Sequence, residues 1–307
     1  MAIAYITHRD CQHHDMGPGH PEQPARLSAI NNRLIATGLE MMLQQHDAPL
    51  ATREQLEAVH DADYIDAIFA ASPEEGLVWI DTDTAMNKNT LQAALRAAGA
   101  VVLGVDLVMA GEARQVFCAV RPPGHHAERH RAMGFCLFNN IAVGAYHALN
   151  RHGLKRIAIV DFDVHHGNGT EHIVSGDERL LFCSTFQHPF YPQSGFDSTA
   201  ANIVNVPLAA GSNGSVFREA VESHWLPRLQ AFAPQLIMVS AGFDAHQADE
   251  MAGLSLVDTD YAWVTRRICE QADNSAEGRI VSALEGGYEL HALARSVEAH
   301  IKAFLGD

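Results

Sequence analysis

The sequence predicts an α/β fold with a mostly parallel central sheet and helices on both faces. Short β-branched apolar runs recur along the chain, and segments of helical periodicity lie between them. The polar, glycine-rich motifs begin where those runs end, as expected if strands buried on both faces hand over to loops at one edge of the sheet. No internal repeat, low-complexity tract or linker cuts the 307 residues, so a single domain over 1–307 is expected.

The elements follow in order. Residues 3–6 are a first strand; Gly17, Pro18, Gly19, Pro21 and Pro24 then keep the chain in a loop until a helix starts near Ala25. Helical patterns cover about 28–44, 54–72 and 90–110. The last is apolar enough to suggest a bilayer, but Arg96 and Asp106 fall inside it, and it reads as a core helix. From there strands at 115–120, 156–160, 180–184, 236–240 and 280–284 alternate with helices at about 139–150, 214–232, 258–272 and 289–305. Such repeated strand-helix-strand units give a parallel sheet.

Composition narrows the function. The 37 acidic residues against 21 basic ones give a formal charge of −16, which argues against a nucleic-acid partner and suits a cationic substrate. Cys11, Cys118, Cys136, Cys183 and Cys269 form no CxxC pair and read as reduced thiols of a cytoplasmic protein. The first residues carry no secretory pattern, and no membrane partner is expected.

The stretch DFDVHHGNGT at 161–170 carries most of the chemistry. Asp161, Asp163 and His165 alternate after a buried strand, so an extended backbone turns them the same way. Two carboxylates and an imidazole side by side are costly to bury without a cation. Oxygen and nitrogen donors without thiolate suit a catalytic rather than a structural metal site, and Asp244 in SAGFDAH supplies a third donor. His125 and His126 have the pKa for moving protons in hydrolysis, with Asp161 and Asn168 as orienting acceptors. Tyr288, after Gly286 and Gly287, could donate a hydrogen bond to an oxyanion. His8, Cys11, His13, His14 and His20 cluster near the N-terminus but lack a known ligand spacing, and read as loop residues near a pocket mouth. No nucleophile elbow, P-loop or dinucleotide fingerprint competes.

RPPGHHA at 121–127, GFCLFNN at 134–140, DFDVHHGNGT at 161–170, SAGFDA at 240–245 and LEGGY at 284–288 together resemble the histone deacetylase superfamily, especially its class II-like and bacterial amidohydrolase members. The resemblance runs from about residue 20 to the C-terminus. It implies an arginase-like fold with its active site at the C-terminal ends of the strands, and one zinc, with ferrous iron as the alternative. It places the metal ligands on Asp163, His165 and Asp244, the histidine pair on His125 and His126 with the second as general base, and the oxyanion-stabilising phenol on Tyr288. A potassium or sodium site would use Asp161, Ser184 and the backbone of Asp163 and His165. Gly134, Phe135 and Tyr191 would wall a narrow tunnel, with Asp83 at its rim. The loop TFQHPFYP after Ser184 departs from the pattern of many relatives.

The function expected is a zinc-dependent deacylase acting on an acyl-lysine protein or peptide. An acetylpolyamine amidohydrolase is the second reading, and a non-catalytic acyl-lysine binder a third of another class. A binuclear manganese hydrolase on the same fold would need further bridging carboxylates. A homo-oligomer is compatible with all of them.

Overall fold

The computed structural model describes residues 3–307. In chain order the elements are β1 (Ile3–Thr7), α1 (Ala25–Ala36), β2 (Leu43–Asp47), α2 (Arg53–Glu57), α3 (Ala62–Ala71), β3 (Val78–Trp79), β4 (Ala85–Met86), α4 (Thr90–Met109) and β5 (Gln115–Cys118). They continue through α5 (Asn140–Arg151), β6 (Ile157–Asp161), α6 (Asn168–Val174), β7 (Leu180–Gln187), β8 (Ile203–Leu208), α7 (Gly214–Ala220) and α8 (Leu226–Phe232). The chain closes with β9 (Leu236–Ala241), α9 (Asp258–Ser275), β10 (Ile280–Leu284) and α10 (Leu290–Leu305).

Eight strands form one sheet in the order β2-β1-β5-β10-β9-β6-β7-β8, and every neighbouring pair is parallel. β3 and β4 pair separately as a small antiparallel hairpin. Alternation along the strands shows that both faces are covered. Val116 and Val281 meet Gly104 of α4, whereas the next residues, Phe117 and Ser282, meet His300 of α10. α4 packs on α5 over one face, and α1, α10 and α9 form a row on the other. α4 has the length and hydropathy of a membrane span, but it is mostly buried inside this fold.

Four expectations about elements need correction. The helix expected over 28–44 stops at Ala36, because Gly38 turns the chain at φ 74° and residues 43–47 then pair as β2. The pattern over 54–72 is two helices, divided where His60 and Asp61 tie to the 128–129 backbone. β8 and α6 were not expected, and β7 runs to Gln187 rather than ending at 184. α7 and α8 are continuous through a wider turn at 221–225, as one expected helix over 214–232.

Candidate active site

The four middle strands, β5, β10, β9 and β6, are neighbours in space although they lie far apart in sequence. The loops that leave their C-terminal ends carry His125 and His126, Tyr288, Asp244, and Asp163 with His165. Open α/β sheets bind ligands at this edge, where connections diverge to either side.

Asp163, His165 and Asp244 are buried and their donor atoms converge within 4.8 Å. His165 Nδ1 lies 3.1 Å from Asp163 Oδ1 and 3.1 Å from Asp244 Oδ2. Backbone amides fix the carboxylates: Gly286 N–H donates to Asp163 Oδ2 at 2.8 Å and Val164 N–H to Asp244 Oδ1 at 2.9 Å. Gly286 is required here, since a Cβ on it would sit 2.0 Å from Asp244 Oδ2 and 2.6 Å from Asp163 Oδ2.

The two imidazoles of the pair have centroids 4.0 Å apart and unlike partners. His125 Nδ1 meets the Asp161 carboxylate at 2.9 Å, and His126 Nδ1 meets the neutral Asn168 Oδ1 at 2.8 Å. Burial opposes charge on His125, but Asp163 and Asp161 outweigh it and hold its pKa up at about 10. Burial, reinforced by the neighbouring His125 and His165, pushes His126 well below the usual imidazole range. Asp163 and Asp244 likewise overcome burial at His165 and raise it to about 10, while burial and then Asp163 lift Asp244 to about 6. Burial, followed by the nearby Asp244, raises the Tyr288 phenol well above 10, so it is a neutral donor at ordinary pH.

A cavity of about 280 Å³ opens onto this cluster, lined by Asp83, His126, Gly134, Phe135, His165, Phe190, Tyr191, Met251 and Tyr288. Wider clefts occur, such as one of about 480 Å³ beside Arg228 and Phe232, but it holds no converging donor set. Phe190 stacks on His165 with centroids 5.5 Å apart, and Tyr191 stands edge-on to His126 at 5.2 Å. Phe135 and Tyr288 meet edge to face at 5.9 Å across the cavity. Gly134 lies against His126, where a Cβ would come within 2.4 Å of the ring. Asp83 accepts the Gly134 N–H at 3.2 Å, which ties the β3–β4 hairpin segment to the rim. Ser184 stands beside Asp161 in register, and its hydroxyl is buried without a hydrogen-bond partner.

Several residues that position the site were not singled out in the sequence. Glu285 receives Gly124 N–H at 2.6 Å and His125 N–H at 3.1 Å, and Asp249 receives the N–H groups of Tyr288 and Glu289 at 2.6 and 3.0 Å. Arg26 donates to Gly287 O at 2.6 Å and lies 4.9 Å from the Tyr288 ring centroid. Glu285 left a signal, as a carboxylate ending an apolar strand; Arg26, more than 250 residues from its partners, left none. The N-terminal histidines disperse: His14 binds Thr90 at 2.8 Å, His20 props Phe135 edge-on at 4.7 Å, and His8 accepts Asp10 N–H.

The donor set fits a divalent ion. Asp244 Oδ2 is buried and makes no hydrogen bond, despite its short approach to His165. Two carboxylates and one imidazole, held rigidly and facing a cavity, are the donors of an open catalytic site.

Residues 20–304 match the histone deacetylase domain family. The chain belongs to the histone deacetylase family. It is 39% identical to histone deacetylase 14, chloroplastic, of Arabidopsis thaliana, covering 94% of this chain and 73% of that one. It is 36% identical to the histone deacetylase-like amidohydrolase of Pseudomonas aeruginosa, covering 88% and 73%. The crystal structure of the HDA15 HD domain superposes with a TM-score of 0.93 at 33% identity, over 99% of this chain and 90% of that domain. The histone deacetylase fold expected from the motifs is thus present, and the family chemistry is that of a deacetylase or amidohydrolase, generally metal-dependent.

Proposed function

We propose that this histone deacetylase-family protein is a zinc-dependent deacylase that removes an acyl group, most simply acetyl, from lysine side chains of a protein or peptide. One observation carries the reading: His126, His165 and Tyr288 line the same narrow cavity, with Asp163 and Asp244 beside His165. Asp163, His165 and Asp244 would hold zinc, or ferrous iron, which supplies Lewis acidity toward an acyl oxygen and toward water.

The chain's own groups do the rest. Asn168 Oδ1 accepts from His126 Nδ1, which leaves Nε2 as the free base facing the cavity. His126, kept neutral by its surroundings, takes a proton from water and returns it to the departing amine. His125, tied to Asp161, contributes fixed positive charge beside it. The Tyr288 hydroxyl donates to the acyl oxygen as charge develops there. Phe135 and Tyr191 flank the alkyl chain, Gly134 keeps the passage open beside His126, and Asp83 receives the substrate backbone at the rim. Asp161 and the unpartnered Ser184 hydroxyl, with backbone carbonyls of Asp163 and His165, would hold potassium or sodium.

An acetylpolyamine substrate would call for a carboxylate gate, and Asp83 is the sole carboxylate among the residues that line the cavity. The acyl-lysine reading therefore stands first, for a protein acting in the cytoplasm. Comparing kcat/KM on an acetyl-lysine peptide with that on N-acetylputrescine and N-acetylspermidine tests it. A clear preference for the peptide is expected; a large preference for the free amines would reverse the order, and absence of turnover in metal-loaded protein would favour a binder. A requirement for two equivalents of manganese would overturn the mononuclear site.

A further inference from the structure

A second convergent donor set lies at the other end of the molecule. Asp106 in the last turn of α4, His147 near the end of α5, and His152, which caps α5, bring one donor atom each within 4.8 Å. Both imidazoles aim Nε2 at the same oxygen, Asp106 Oδ1, at 2.8 and 2.7 Å, and their ring centroids are 5.5 Å apart. The C-termini of α4 and α5 lead into the N-terminal ends of β5 and β6, so this cluster sits at the edge of the sheet opposite the cavity.

Two features make the place suited to a cation. Two helix C-termini meet here, each carrying about half a negative charge from its aligned peptides. A carboxylate in the last turn of α4 adds to that negative potential rather than relieving it. Two imidazoles with one carboxylate select a transition ion over calcium or magnesium, which prefer oxygen alone.

The geometry points to a second, surface metal site, made by Asp106, His147 and His152, that takes a divalent transition ion of the zinc, copper or nickel class. Bonds of about 2.0–2.1 Å to each donor require the nitrogens to move roughly half an ångström from Oδ1. The side chains have that freedom, Asp106 being 47% exposed and His152 23%. His147 borders a cleft beside α2 through which the ion and its remaining waters can enter.

Metal analysis and calorimetric titration of zinc-loaded full-length protein test the site. Wild type should take up one equivalent beyond that of the active centre, and H147A/H152A should lose it while retaining deacylase turnover. Copper titrated into the zinc-loaded protein should give an electron paramagnetic resonance spectrum with coupling to two nitrogens. D106N supplies a second, nearly isosteric variant with the same expected loss, and turnover reports that either variant is folded. An Asp244→Ala chain should keep this equivalent, which separates it from the donors under the cavity. Wild type with no additional equivalent, or an additional equivalent that survives both variants, overturns the proposal.

Discussion

Two buried clusters of charge lie within the fold, and they solve the same problem differently. Behind the cavity, Glu22 is enclosed by Arg121, Arg26 and His14: Arg121 Nη2 donates to Oε2 at 2.6 Å and Arg26 Nη1 to Oε1 at 3.1 Å. Burial alone would raise the Glu22 pKa, but Arg121, His14 and Arg26 hold it well below the carboxylate range. Beneath the cavity, Asp161, Asp163, Asp244 and Glu285 are buried with three imidazoles and no arginine or lysine. The first cluster is neutralised by fixed cations of the chain and serves to hold loops together. The second keeps an excess of anionic donors aimed at one point, which only an added cation relieves. Buried carboxylates therefore mark a reactive centre where their compensation is incomplete.

Removing a donor from the second cluster should give the largest effect. Asp244→Ala is expected to lose bound metal and more than about 10³-fold in kcat/KM, checked by metal content and by turnover of an acetyl-lysine peptide. Activity within tenfold of wild type would mean that the cluster needs no cation and that the contrast is false.

Breaking the first cluster should act on stability instead. Arg121→Met strands the buried Glu22 carboxylate and is expected to cost about 3–5 kcal/mol, read by chemical denaturation. Because the folded pKa of Glu22 is depressed, its contribution is present above the unfolded value near 4.5 and fades as pH falls below it. The variant should lose that acid dependence along with the stability.

Tyr288→Phe keeps the packing on Phe135 and Arg26 and removes one donor. It should lower kcat by about 10²–10³ with little change in stability or metal content. A change in KM alone would reassign the phenol to substrate binding.

The smallest effect sharpens the asymmetry inside the second cluster. Asn168→Asp gives His126 the same kind of partner that His125 has. A carboxylate favours the protonated imidazole, so the acid limb of the kcat/KM profile should move up by about one pH unit. An unmoved limb would place the proton-accepting role elsewhere.

The contrast also explains what could be read in the sequence. The donor residues were legible because each follows an apolar strand whose end is written in the chain, as at 157–161 and 280–284. The edge strands were not: β2 reads LQQHD and is mostly exposed, and β8 contains Pro207, so neither shows the apolar run of a buried strand. His125, His126 and Tyr288 were legible through their motifs, and Asp83 and Tyr191 through resemblance. The residues that brace them were hidden, because Arg26 to Gly287 and Arg121 to Glu22 are pairings across 261 and 99 positions that no local pattern encodes. Phe190 and Met251 look like ordinary loop residues until the fold seats them against the cavity.

The cramped seat of Gly286 has a corollary for how this chemistry can vanish during evolution. A single added methyl group at that position would intrude between the two carboxylates while leaving every acidic, imidazole and phenolic group in the sequence untouched. A descendant silenced in this way would pass any inspection limited to the reactive side chains, so the glycine is the letter to check before a family member is credited with turnover.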